Sequence, residues 1–302
     1  MRADPIGRPP RAAAVAAVVV ALLALGLAGV AAAEPVRVGV FVPSTPFEGT
    51  GARLEFATRL ARHIGGDDAV GRVYGRASDF AAALRKGEID LAVADATYLA
   101  AVGGSHAVLA VAVRGGDTRT TWDLVARGQI DSVLGLEGKT VLTPAIGGRE
   151  AAFVNEALLG GELRPDFLRV EVSPDVLSAL AALGLGKADA AVVPSGLALP
   201  AGTNRVATLP AVSWPLLIAS PRTSADLQAR AAERALTFTS SGAITGFRSA
   251  TSDAYRSLAR RFGRPVRRGP MALPNLRIAV GELIEGRAFR IDPGDARRYV
   301  AR

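Results

Sequence analysis

The chain has 302 residues, of which 49% are hydrophobic, and a formal net charge of +8 at pH 7. This length allows two modest domains with buried cores, and the composition excludes a largely disordered chain. Cysteine is absent, which excludes disulfides, thiol chemistry and a lipid anchor attached through cysteine. The positive charge is almost all arginine, and no nucleic-acid-binding module accompanies it, so we expect no nucleic acid as a partner.

The first 33 residues have the pattern of an export signal. Arginines precede an apolar run over residues 12–30, and small residues follow it up to Ala33. The run is also nearly long enough to span a bilayer, so a retained membrane anchor is the alternative interpretation. We expect cleavage after Ala33 and a periplasmic location for the mature protein.

Two segments about a hundred residues apart repeat one pattern. Residues 82–100 read AALRKGEIDLAVADATYLA, and residues 182–198 read ALGLGKADAAVVPSGLA. Each contains the end of a helix, a glycine, an aspartate and an apolar run. An uninterrupted apolar run is typical of a parallel strand covered on both faces. A strand, a glycine-bearing loop, a helix and a second strand precede each segment. Each half of the chain therefore reads β-α-β-α-β.

This repeat predicts an α/β chain with two lobes, a hinge and a cleft between the lobes. We expect lobe I to consist of residues 34–113 and 212–302, and lobe II of residues 114–211. The segments 107–130 and 205–221 have the character of connections that pass from one lobe to the other. A single doubly wound sheet without lobes is the alternative.

Polar residues at the ends of the second helix of each half predict local hydrogen bonds. Ser78 and Ser173 are predicted to cap the helix starts. Asp90 and Asp189 follow the helix ends and could suggest an acid–base pair. They stand at strand beginnings, however, away from the strand ends where ligands bind, so we expect them to accept hydrogen bonds from backbone N–H groups of the helix–strand turn.

Residues 120–159, TTWDLVARGQIDSVLGLEGKTVLTPAIGGREAAFVNEALL, resemble the second lobe of phosphonate/phosphite-type substrate-binding proteins of ABC importers. In that family, a segment like Leu136, Gly138 and Lys139 leads into a strand and a ligand-facing loop. Residues 86–100 resemble the first-lobe segment of the same family, in which a strand precedes a tyrosine-bearing ligand loop. The resemblance implies the type 2 periplasmic binding protein fold and the capture of a small anionic ligand.

Ligands of open α/β sheets bind beyond the carboxyl ends of the strands. Helix starts and glycines at these ends let an anion approach backbone N–H groups, and an arginine can add a bidentate contact. The predicted ligand-binding residues stand at such ends; they are Ser44, Thr45, Thr50, Asp95, Thr97, Tyr98, Thr143, Gly147, Gly148, Arg149 and Ser195.

Several of these positions have a purely structural interpretation, which stays open at this point. The glycines at 49–51 and 147–148 could only shape tight turns, with the Arg149 side chain in solvent. Asp95 could cap the following turn, and Tyr98 could pack beneath the cleft. Residues 145–147 also lack the hydroxyls usual in the family. The carboxylate of Asp95 would be unfavourable beside a dianionic ligand, and both departures weaken the phosphonate assignment.

No catalytic residue, metal site or cofactor is predicted. His63 and His106 stand apart from other metal-ligand residues, and Ser195 lies in V-P-S-G-L rather than in a nucleophile elbow. The expected protein is a monomer without enzymatic activity that delivers a small anion to an ABC permease through hinge closure. The alternatives are a ligand-binding sensory protein and an enzyme on the same fold.

Overall fold

The computed structural model describes residues 34–104, 106–164 and 166–262. The predicted export signal, residues 1–33, lies outside the described residues, as does the chain after residue 262. Within the described ranges, no helix has the length and apolar character needed to cross a membrane.

The chain alternates strands and helices. The first half contains β1 (Arg37–Phe41), α1 (Thr50–Gly65), β2 (Val70–Val73), α2 (Ala77–Lys86), β3 (Leu91–Ala94), α3 (Ala96–Val102), β4 (Ala107–Val113) and β5 (Arg119–Arg127). A 3₁₀ turn (Leu134–Leu136), β6 (Thr140–Pro144), α4 (Glu150–Ala152), a π-helix (Phe153–Leu158), β7 (Arg169–Ser173), α5 (Val176–Gly184) and β8 (Ala190–Pro194) follow. The described chain ends with β9 (Thr203–Ser213), β10 (Leu216–Ala219), α6 (Ala225–Thr237), β11 (Gly246–Ser249) and α7 (Asp253–Ala259).

The described strands form two sheets, and we name the lobes after them. Lobe I is the part built on the six-stranded sheet β11-β4-β10-β3-β1-β2, and lobe II is the part built on the five-stranded sheet β7-β6-β8-β5-β9. In both lobes the first strand of the β-α-β-α-β pattern lies between the other two and pairs with them in parallel. The predicted two-sheet α/β class is confirmed, and the residue bounds given above for the lobes stay a prediction.

The lobes share part of their core. One buried cluster belongs to lobe I and another to lobe II. A third contains Phe80 and Tyr98 from lobe I together with Trp122 and Phe153 from lobe II. Phe262, just beyond α7, stacks on Phe153 with 6.3 Å between the ring centroids. The segment after α7 therefore packs against lobe II.

The predicted serine caps are wrong, because other residues occupy the cap positions. Helix α2 begins one residue before Ser78, and its N-cap is Arg76. The N-cap of α5 is Asp175 rather than Ser173, since the Asp175 carboxylate accepts a hydrogen bond from the Ser178 N–H at 2.8 Å. A carboxylate two residues further along the chain thus reaches the free N–H groups of the helix.

Asp90 and Asp189 bind backbone N–H groups, as predicted, but these groups belong to the first strand of each lobe and not to the predicted helix–strand turn. The Arg37 N–H donates to Asp90 Oδ2 at 2.8 Å, and the Thr140 N–H donates to Asp189 Oδ2 at 2.9 Å. Arg37 and Thr140 are the first residues of β1 and β6, which hold equivalent places in the two lobes. The repeated aspartate therefore fixes the start of the first strand in each lobe.

Candidate functional site

A groove of about 470 Å³ lies between the lobes, next to the carboxyl ends of β3 and β6. It is lined from lobe I by Gly75, Arg76, Ala77, Ser78, Ala81, Tyr98 and Val102, and from lobe II by Ala145, Gly147, Gly148 and Glu150. The carboxyl ends of such strands are where ligands of α/β proteins bind. Three of the predicted residues, Tyr98, Gly147 and Gly148, lie in the groove.

Asp95 holds the first loop of lobe I. Its carboxylate accepts hydrogen bonds from the N–H and the hydroxyl of Ser44, with a longer contact of 3.5 Å to the Thr45 hydroxyl. All three residues are buried. Burial raises the pKa of Asp95 to about 6, although the bonds from Ser44 and the charge of Arg53 act to lower it. The Ser44 and Thr45 hydroxyls are thus engaged by a carboxylate of the protein itself.

Tyr98 both packs in the core and lines the groove. Its ring lies 5.1 Å from the Phe41 ring and 5.3 Å from the Phe80 ring, both in edge-on geometry, and burial raises its pKa. Across the groove it meets Gly147: a β-carbon at that position would lie 3.1 Å from Tyr98 Cδ2. Gly147 also has φ +104, a backbone conformation that other residues rarely adopt, so this close contact between the lobes depends on glycine.

The first loop of lobe II is held by Glu150. One carboxylate oxygen, Oε1, accepts hydrogen bonds from the N–H groups of Ile146, Gly147 and Gly148 at 2.9, 3.1 and 3.1 Å. The Glu150 side chain is buried. The N–H groups of Gly147 and Gly148, which were predicted to meet an anionic ligand, therefore already bind a carboxyl group that belongs to the chain.

The Arg149 side chain lies against Phe262. Its guanidinium carbon lies 4.9 Å from the centre of the Phe262 ring, in cation–π geometry. The residue is exposed and is not among those that line the groove. The sequence argument expected the guanidinium to point to the ligand, whereas the structure places it against the segment after α7.

The remaining predicted residues are dispersed. Thr50 is exposed at the start of α1. The Ser195 hydroxyl donates to Asp123 Oδ1 at 2.8 Å, within lobe II. Thr97 and Thr143 are buried near the ends of β3 and β6, and their hydroxyls have no hydrogen-bond partner among the described residues. Only these two hydroxyls of the predicted set are both buried and unused.

Two direct contacts between the lobes were not predicted from the sequence. Arg53 of α1 forms an ion pair with Asp175, and the Val176 N–H donates to the Pro43 carbonyl at 3.0 Å. Burial acts to raise the pKa of Asp175, but bonds from Ser178 and Arg53 outweigh it, so its pKa lies below the ordinary value. The ion pair joins residues 122 positions apart, and no local pattern marks such a pair.

Arg76 is the groove residue whose charge is most available to a ligand. It is exposed at the start of α2 and forms no ion pair within the described chain. Glu150 is the groove's carboxylate, but it is engaged by the loop. Among the described residues, no group of three or more histidine, aspartate or glutamate side chains is arranged to hold a metal ion.

The fold is shared with binding proteins of known structure. PhnD1 from Prochlorococcus marinus in complex with methylphosphonate matches with a TM-score of 0.58 and 13% identity, over 75% of this chain and 97% of that one. The binding-protein component of an ABC phosphonate transporter from Pseudomonas aeruginosa gives 0.58 and 14%, over 74% and 85% of the two chains. The fold is that of a type 2 periplasmic binding protein.

XAC2383 from Xanthomonas citri bound to ATP is similar as well, with a TM-score of 0.53 and 15% identity over 74% of this chain and 95% of that one. No protein-family model matches the sequence, and no curated protein matches it either. At these identities the likeness establishes the fold, and the ligand has to be argued from the groove itself.

Proposed function

We propose that this protein is exported to the periplasm, binds a small solute with an anionic group in the groove, and delivers it to an ABC permease. Phosphonate- and phosphite-like anions are the first candidates. The observation that carries the proposal is the groove itself: both lobes line it, at the strand ends, in a fold shared with transporter binding proteins. We propose a monomer, with the lobe bounds 34–113 and 212–302 for lobe I and 114–211 for lobe II.

Lobe I supplies the contacts that suit an anion. Arg76 offers a guanidinium without an ion-pair partner in the described chain, and the first N–H groups of α2, at Ala77 and Ser78, border the same groove. A helix start and an arginine together favour a carboxylate, phosphonate or phosphate group. Tyr98 and the Gly147–Gly148 loop then close over the rest of the solute.

Binding, hinge closure and release form the proposed mechanism, and no chemical step is proposed. A ligand that contacts both lobes stabilises the closed arrangement by its differential affinity for it. Direct contacts such as Arg53 with Asp175 already join the lobes and would add to that preference. The unused hydroxyls of Thr97 and Thr143 are candidates for further polar contacts.

A thermal-shift screen of the mature protein tests the proposal. The panel contains phosphonates, phosphite, phosphate, sulfonates, carboxylates and amino acids. A ligand at a hundred times its dissociation constant stabilises the native state by about 2.7 kcal/mol. Arg76→Ala should abolish most of the shift, whereas Arg72→Ala, an exposed arginine on β2, should leave it unchanged. A panel without any stabilising compound, or equal shifts for both variants, would count against the proposal.

A further inference from the structure

The loop after β6 forms a concave backbone surface that suits an anion. Gly147 has φ +104 and Gly148 has φ +96, and these conformations accompany successive N–H groups, at Ile146, Gly147 and Gly148, that converge on one point. Successive N–H groups that converge in this way form an anion-binding concavity. Both glycines line the groove between the lobes.

The chain fills this concavity itself. Glu150 Oε1 accepts all three hydrogen bonds, at 2.9, 3.1 and 3.1 Å. The side chain is 9% exposed and is itself one of the groove-lining residues. A carboxylate oxygen thus occupies the point at which an oxygen of a ligand's anionic group would meet the loop.

We infer that Glu150 is a specificity-determining residue that keeps anionic ligand groups away from lobe II. A free oxyanion has to displace a carboxylate that is attached nearby, and a short tether gives an effective concentration on the order of millimolar. The inference rests on the proposed function and sharpens it: the anion of the solute binds at Arg76 in lobe I, and lobe II accepts a part of the solute that is not anionic.

Sulfate binding to the mature protein tests the inference, because sulfate is fully ionised and small. Glu150→Ala opens the loop and should bind sulfate about tenfold or more tightly than the wild type, because the three N–H groups can then donate to a charged acceptor from solution. Glu162→Ala removes an exposed glutamate of lobe II and should change sulfate affinity by less than about twofold, because it changes only the net charge.

Glu150→Gln keeps the shape of the side chain and decides the question if Glu150→Ala does not fold. Sulfate should displace the neutral amide from the loop N–H groups more easily than it displaces the carboxylate. Sulfate affinity should therefore again exceed that of the wild type. Equal sulfate affinity in folded Glu150 variants and wild type overturns the inference, as does an equal gain in Glu162→Ala. The proposed function is judged separately, by whether the wild type binds any solute of the screening panel.

Discussion

Both lobes hold the loop after their first strand with a carboxylate, but the two carboxylates come from different places. In lobe I, Asp95 stands at the end of β3 and reaches sideways to Ser44. In lobe II, Glu150 belongs to the helix that follows the loop and reaches back to Ile146, Gly147 and Gly148. Asp95 is enclosed in the core, whereas Glu150 borders the groove.

This difference shows that a loop at a strand end is not an anion site merely because it has glycines and free N–H groups in the sequence. Ser44 in one loop, and Ile146, Gly147 and Gly148 in the other, donate to a carboxylate of the protein itself. Exposed positive charge at the groove comes instead from Arg76, at the start of the second helix of lobe I.

Replacing Asp95 by asparagine should have the largest effect, and the effect depends on pH. The pKa of Asp95 in the folded protein is about 6, above its ordinary value of 3.8, so the native state binds this proton more tightly than the unfolded state. The resulting stabilisation is fully present below the ordinary pKa and is lost as the pH rises through about 6. This difference between the folded and unfolded pKa of Asp95 corresponds to about 3 kcal/mol of unfolding free energy.

Urea unfolding at a series of pH values measures this contribution. Between about pH 4 and pH 7, the unfolding free energy of the wild type should fall by up to about 3 kcal/mol relative to that of Asp95→Asn. The comparison with the variant cancels the titration of other groups. Parallel pH curves for the two proteins would show that the carboxylate of the lobe I loop is not enclosed in the way described.

The ion pair between Arg53 and Asp175 should give an intermediate effect. Its side chains are 11% and 18% exposed, so a coupling energy of about 1–2 kcal/mol is expected, between the values of surface and buried pairs. A double-mutant cycle with Arg53→Leu and Asp175→Asn measures it by urea unfolding, and the asparagine preserves a cap for α5. The exposed pair Lys86–Glu88 is the control, with coupling near zero. Equal coupling in both pairs would mean that the lobes are not held together by Arg53.

Arg149→Ala should have the smallest effect. The sequence argument alone predicts a loss of affinity of about tenfold or more, because it places the guanidinium on the ligand. The contact with Phe262 predicts instead a loss of about 0.5–1 kcal/mol in unfolding free energy and little change in affinity. Urea unfolding and titration calorimetry on the same variant separate the two expectations. Strongly weakened binding with unchanged stability would restore the original assignment.

Much of the fold could be predicted from the sequence because it depends on patterns among residues that are close together in the chain. The repeated glycine, aspartate and apolar strand indicated two β-α-β-α-β halves. The position of Asp90 and Asp189 before a strand indicated that they bind backbone N–H groups, but not that these groups belong to the first strand of each lobe. Glu150 was also within reach of sequence reasoning, since an acid two residues after a pair of glycines can bond back to the loop.

The site itself was predicted less completely, for a physical reason. Strand-end position indicates that a side chain is near a cleft, but not which partner it binds. The hydroxyls of Ser44 and Ser195 are engaged by the buried carboxylates of Asp95 and Asp123, and these pairs are more than fifty positions apart in the chain. Arg76 was missed because a helix boundary was placed two residues too late.

The most direct test of whether the solute binds in the groove between the lobes is to fill the groove and measure binding. Val102 lines the groove and its side chain is 45% exposed, so Val102→Trp adds bulk there without disturbing the core. Leu185→Trp is the matched control, since Leu185 is 73% exposed and does not line the groove. Titration calorimetry uses the best ligand of the thermal-shift screen. The account predicts no measurable binding by Val102→Trp and wild-type affinity for Leu185→Trp; wild-type affinity in Val102→Trp would contradict it.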